Sequence, residues 1–231
     1  EFANTFSMQS DELDELVKPI GWGARSDLNY SGPGNRYIYD YKFFYPPEGP
    51  GRTHVGVSWR QAAMYCNWLH NGKTSDPASL MNGAYDTSTF TQNPDGTFND
   101  QSTRSPGATY WIPSLDEYLK AAFYDPNRYG EGEEGWWEYA NSRDRLPIGG
   151  VPGVGETNAG FTLEHYKEYG YPAAYIPVGS YSEHQSPWGL LDVSGSAVEW
   201  TEEWDFDILD RRFRRQYRAS HAGSVLDPID E

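Results

Sequence analysis

The sequence predicts an α+β fold with two main helices, strands confined to short hairpins, and a high loop content. Three observations carry this. Two segments, "VSWRQAAMYCNWLHNG" and "IPSLDEYLKAAFYD", place apolar residues at helical spacing behind a Ser that is followed three residues later by Gln or Glu, the pattern in which each side chain satisfies an orphan amide at a helix start. Between and beyond them, 24 Gly and 16 Pro break the chain into short pieces. Yet 9 Trp, 18 Tyr and 10 Phe recur every few residues, which argues against disorder and for loops pinned by buried rings.

Taken in order, "EFANTFS" reads as the middle of a helix and opens with neither Met nor a signal peptide, so the expectation is a segment of a longer protein. The first main helix starts at Ser58 with Gln61 as its capping partner and ends at Gly72. Ala62, Tyr65, Cys66 and Leu69 recur along it at three- and four-residue spacing and are expected on its buried face. Cys66 is the lone cysteine, which excludes an intrachain disulfide and a cysteine-built zinc site and makes it a small core residue. Residues 73–110, with "GAYDTSTF" and "GTFND", read as loop or hairpin. The second main helix follows Ser114 with Glu117 as the capping partner, runs through Leu115, Tyr118, Leu119, Ala122 and Phe123, and stops before Pro126. Residues 125–160, rich in Gly, Glu and Trp, read as a long surface excursion. There is no repeat of fixed period, and one domain is expected across residues 1–231.

Charge narrows the partners. Thirty-four acidic against 18 basic residues give a formal net charge of −16, which repels phosphate backbones and anionic lipid, so no nucleic-acid partner is expected. No run of about twenty apolar residues exists to span a bilayer. His54, His70, His165, His184 and His221 have no metal-ligand spacing, and "GVPGVGETNAG" lacks the basic residue of a phosphate loop. One basic island stands out, "DRRFRRQYR", with Arg211, Arg212, Arg214, Arg215 and Arg218. It reads as a strand with Phe213 and Tyr217 inward and its arginines balancing Asp205, Asp207 and Asp210; the alternative is a contact for an acidic partner or carboxylate ligand, since guanidinium binds carboxylates bidentately.

The stretch "GLLDVSGSAVEWTEEW" poses a sharper question. Acidic side chains drawn toward an apolar wall lose solvation, so Asp192 and Glu199 call for something positive. One reading ends a strand at Asp192, turns at Gly195 and pairs Glu199 with an arginine.

Five segments in order, "VSWRQAAMYCNWL", "YWIPSLDEYLKAAFYD", "TNAGFT", "IPVGSYSEHQSPWGLLDVSGSAVEWTEEW" and "YRASHAGSV", resemble the formylglycine-generating enzyme and sulfatase-modifying-factor family. "NWLHNG", "GAY" and the longer loop in "VGSYSEHQSPWG" are similar to exported bacterial members without assigned catalysis. The resemblance implies that family's variant of the C-type lectin fold, with small twisted antiparallel sheets. It also implies a structural calcium held by side-chain oxygens of Asp192 and Glu199 and main-chain carbonyls of Gly195 and Ala197, consistent with an ion that takes roughly six to eight hard oxygens. A second family calcium site would use Asn158 and Ala159, with no clear later aspartate near "EYGYP". "GSAVEW" stands where the family often has "GNVWEW", a change that removes no ligand.

The family's oxidases bind copper through two cysteines after a "GGS" signature, soft sulfur suiting Cu(I). Here the signature is "HAGSV"; Ser224 matches a family active-site serine, Asp227 stands at the first copper-cysteine position, and the second falls past Glu231. Copper is therefore not expected. The resemblance implies an exported, non-catalytic, calcium-stabilised module, periplasmic, cell-surface or extracellular, that binds a protein or glycan within a larger surface or membrane-associated assembly; the alternative is a copper-dependent oxidase with altered ligands. Trp68, Trp111 and Trp200 lie in family signatures and are expected to be buried, whereas Trp136 and Trp137, in the acidic excursion, are expected to be exposed or to cover a partner.

Overall fold

The computed structural model describes residues 1–19, 25–27, 29–31, 36–38, 56–94, 98–101, 103–159, 178–195, 199–203, 205–206 and 214–215. These show mixed helix and small antiparallel sheet, as the α+β expectation has it, in two compact units. One draws on residues up to Ser114 and from Trp200 onward; the other is built chiefly of Leu115–Glu199.

The first unit opens with α1 (Phe2–Ser7), the helix expected at "EFANTFS". A short α2 (Asp11–Val17), unforeseen in the sequence, follows with Ser10 as its N-cap, the hydroxyl accepting from Leu13 N–H. Strands β1 (Arg25–Ser26) and β2 (Tyr37–Ile38) pair antiparallel. The main helix α3 (Trp59–His70) has the full capping box of Ser58 and Gln61, and Gly72 follows it at φ +75°. Its buried face differs from the expected one: Tyr65 is exposed, and Ala62 and Leu69 are half-buried. The reason is that α3 is covered on two sides. Met64 and Trp68 pack with Phe6, Val17 and Leu80, while Trp59, Ala63 and Cys66 pack with Tyr85 and Ile112, so the apolar stripe is wider than one face and the predicted residues fall along its edges.

Residues 71–110 wrap α3 as loop with two 3-10 turns, Pro77–Leu80 and Thr87–Thr89, each capped by the aspartate before it. Asn67, fully buried on α3, donates through Nδ2 to the carbonyls of Leu80 (2.9 Å) and Tyr85 (2.8 Å), and its Oδ1 accepts Tyr85 N–H (2.8 Å). Asn4 does the same for Tyr37, donating to its carbonyl and accepting its N–H. Strands β5 (Asp205–Phe206) and β6 (Arg214–Arg215) also belong to this unit.

In the second unit, α4 (Leu115–Phe123) begins directly after Ser114 and buries Ala122 and Phe123 against Ala140 and Val193, with Tyr118 and Leu119 alongside. The expected surface excursion instead begins as an antiparallel hairpin, β3 (Tyr124–Gly130) with β4 (Glu133–Trp136). Tyr124 faces Trp136 across the ladder, their rings 5.2 Å apart. Gly135 lets Arg128 and Tyr129 lie over the strand, since a Cβ there would stand 2.8 Å from Arg128 Cδ and 2.7 Å from Tyr129 Cε2.

Candidate functional site

The segment that carries the calcium expectation lies in the second unit. Asp192 adopts φ +59°, and its Oδ2 accepts Gly179 N–H. Val193 anchors the segment in the apolar cluster under α4. The next carbonyl, of Ser194, accepts from the Thr157 hydroxyl at 2.6 Å. Gly195 turns the chain at φ +92°, pressed so closely on residues 157–159 that a Cβ would stand 2.7 Å from Thr157 Oγ1 and 2.8 Å from Ala159 N. A Gly is required there on both counts. Glu199 closes the segment. Its Oε2 is sealed from solvent without a hydrogen-bond partner, and burial pushes its carboxyl up to about 7 against the pull of a hydrogen bond from Tyr118.

The turn at Gly195 matches the alternative reading of this stretch, but no arginine among the described residues meets Glu199. The segment thus holds a half-buried acid with an orphaned oxygen and a second orphaned atom, Ser194 Oγ. These are hard donors, which suit calcium and not a soft ion. Among the described residues no three Asp, Glu, His or Cys side chains converge, so a cation here would draw most of its shell from carbonyls. Ala197 lies outside the described residues. Asn158 and Ala159, the second expected segment, are buried against Gly195 rather than set apart from it.

The other expected residues fall out unevenly. Trp136 is 52% exposed, while Trp137 is half-buried beneath Arg128, whose guanidinium lies 4.5 Å from its ring, and donates to Asp125 Oδ2 at 3.1 Å. Trp68 is fully buried with its indole N–H on Thr74 O. Trp111 is not: it is 38% exposed, covered on one face by Arg104 at 4.3 Å. Trp200 is half-buried, its body against Tyr85 and its neighbours and its N–H reaching Val57 O. Both fall short of the expected burial because the signatures place these rings at the rim of a core, where a polar end keeps contact with water. Of the arginine island, Arg214 and Arg215 form a strand whose backbone pairs Asp205 with Arg215. Arg211, Arg212, Phe213, Tyr217, Arg218, His221, Ala222, Ser224 and Asp227 lie outside the described residues.

Sequence reading missed two buried acids. In the first unit Glu202 accepts from Tyr85 Oη (2.9 Å) and Arg104 N–H (2.7 Å), with the Arg104 guanidinium at 3.6 Å; Tyr85 in turn accepts Ile112 N–H. In the second unit a cavity of about 500 Å³ is lined by Ile148, Val154, Glu156, Tyr181, Glu183 and His184. Burial pushes the Glu156 carboxyl up, but Arg145 at 2.8 Å, Ile148 N–H and Arg143 outweigh it and hold the group below its ordinary value. His184 Nδ1 lies 3.9 Å from Glu156, sealed and without a hydrogen-bond partner. The close spacing of Arg143, Arg145 and Glu156 in "RDRLPIGGVPGVGE" was the available signal.

Comparison with protein families matched residues 47–228 to the sulfatase-modifying factor enzyme 1-like domain. Comparisons with curated proteins and with solved structures returned no match. The family match spans both helical signatures, the Asp192–Glu199 segment and the "HAGSV" signature, and on that ground the chain belongs to the formylglycine-generating enzyme and sulfatase-modifying factor family.

Proposed function

We propose that this chain is a non-catalytic binding module of the family, stabilised by calcium, with a C-type lectin-like variant fold, in an exported protein that serves a surface or membrane-associated assembly. The observation that supports the calcium is Glu199: an acid with a sealed, unpartnered oxygen and a carboxyl pushed up to about 7 by burial is a group that a cation would stabilise in its ionised form. Asp192 and Glu199 would supply two carboxylates and Gly195 and Ala197 two carbonyls. Bound by these groups, calcium would supply charge neutralisation, favouring the ionised form of Glu199.

Support for a binding role is the ligand chemistry of the copper position. Asp227 offers hard oxygen where Cu(I) oxidation needs paired sulfur, and Cys66, the lone thiol, is buried in the core between α3 and Tyr85. Partners remain a protein or a glycan at the exposed loops and, for an acidic one, at Arg211 to Arg218. Among the described residues no helix is long and apolar enough to cross a membrane.

One experiment tests both halves. Chelation should lower the melting temperature and calcium restore it, by mass action; with copper, oxygen and a cysteine-containing sulfatase-type peptide, no aldehyde should form. Turnover above the metal-free control would revive the oxidase, and superimposable melting curves in chelator and in calcium would remove the ion.

A further inference from the structure

On β3 and β4, the ladder face that carries Tyr124 and Trp136 has more aromatic surface than the unit uses. Trp136 is 52% exposed, and Trp188, 53% exposed, is pinned to the facing strand by an indole N–H on Tyr124 O at 2.8 Å. The Tyr124 hydroxyl bonds Glu134. The hairpin and the residues after it are rich in exposed acid, Glu131, Glu133, Glu134 and Glu138. Arg128, the single base between residues 124 and 138, is turned away to Asp144. The rings already attract cations, since Lys120 Nζ lies 5.6 Å from the Tyr124 centroid and the Arg128 guanidinium 4.9 Å from Tyr129. Exposed indoles beside unpaired carboxylates bind ammonium and guanidinium groups through both ring quadrupole and charge.

We propose that the Tyr124–Trp136–Trp188 surface, with Glu134 at its rim, docks a lysine- and arginine-rich segment of a protein partner. The inference rests on the reading of the domain as a binding module and names the partner's chemistry. Charge chooses this occupant over the others. A second copy of a chain at net −16 is repelled, and a neutral sugar stacked on indole would use the carboxylate only as a hydrogen-bond acceptor and gain nothing from its charge.

The test uses the whole domain, calcium-loaded, titrated with a flexible peptide alternating arginine or lysine with glycine, and with its glutamate counterpart and maltoheptaose. The basic peptide should bind and quench tryptophan fluorescence, about tenfold more weakly after Trp136→Ala and about threefold more weakly after Glu134→Gln, with affinity falling as salt rises. Absence of peptide binding, indifference to both substitutions, preference for the sugar, or concentration-dependent self-association through Trp136 would each overturn the docking site. Trp136 and Glu134 are exposed, so the variants keep the fold, and an unchanged melting curve confirms it. Loss of the docking site with a retained calcium response leaves the module reading standing, whereas aldehyde formation removes that reading itself.

Discussion

Asn67 holds Tyr85 by both ends of its amide, accepting the tyrosine's N–H and donating to its carbonyl, each at 2.8 Å. The side chain thus does what a neighbouring strand would do, in a unit whose described ladders are only two residues long. Truncation leaves two buried carbonyls and an N–H unpaired, so Asn67→Ala should destabilise by about 2–4 kcal/mol. Asn67→Asp keeps the acceptor, loses both donors and buries a charge, and should be worse. Urea unfolding of the two variants ranks them; equal stabilities would contradict the geometry.

Glu199 sets the pH response of the metal-free chain. An acid that holds its proton longer in the fold than in the open chain makes stability decline as pH rises between the two pKa values, here from its ordinary value of 4.5 to about 7. The loss across that interval is on the order of 2–3 kcal/mol. Melting temperature in chelator should therefore fall from about pH 5 to about pH 7, and Glu199→Gln should flatten that slope while abolishing the gain from calcium. A slope that survives the substitution assigns the effect elsewhere.

Gly195→Ala meets two obstacles together, a positive φ and the Thr157 and Ala159 atoms already in the space a Cβ would take. The expected loss is about 2–4 kcal/mol. Gly153, also at positive φ but with open space around it, supplies the control: Gly153→Ala carries only the backbone strain, about 1 kcal/mol. Thermal melts of the pair separate crowding from strain.

Cys66 should resist thiol reagents. Burial and, behind it, the Glu202 carboxylate push its thiol up to about 12, so at neutral pH it is both protonated and enclosed. Labelling by an aromatic disulfide should proceed only at the rate of opening and become fast in denaturant. Rapid labelling of the native chain would refute this placement.

What was legible in the sequence was what is local. The Ser58–Gln61 capping box depends on four neighbouring residues and could be read directly, and so could the ends of α3 and α4. The β3–β4 hairpin could not: Gly, Glu and Pro dominate it, and its ladder is held by rings that meet only after folding. The buried face of α3 was misjudged because periodicity reports one face and α3 has two covered sides. Asn4, Asn67 and Glu202 are residue types ordinarily at the surface, and nothing in their neighbours announces burial; for Glu156 the nearby Arg143 and Arg145 were the one signal. At the candidate site the acids at 192 and 199 were visible as an unusual pattern, whereas the contact of Ser194 with Thr157 joins residues 37 apart and had no local trace.

That last contact has a thermodynamic meaning. The Thr157 hydroxyl on Ser194 O and the fit of Gly195 against Asn158 make one joint of the stretch at Asn158 and Ala159 and the start of the 192–199 segment. Such a joint is a conduit for linkage: any ligand that orders one strip changes the free energy of ordering the other, and the effect is reciprocal. A ligand that orders one strip should therefore raise the stability of the other, and a substitution in either should register at both.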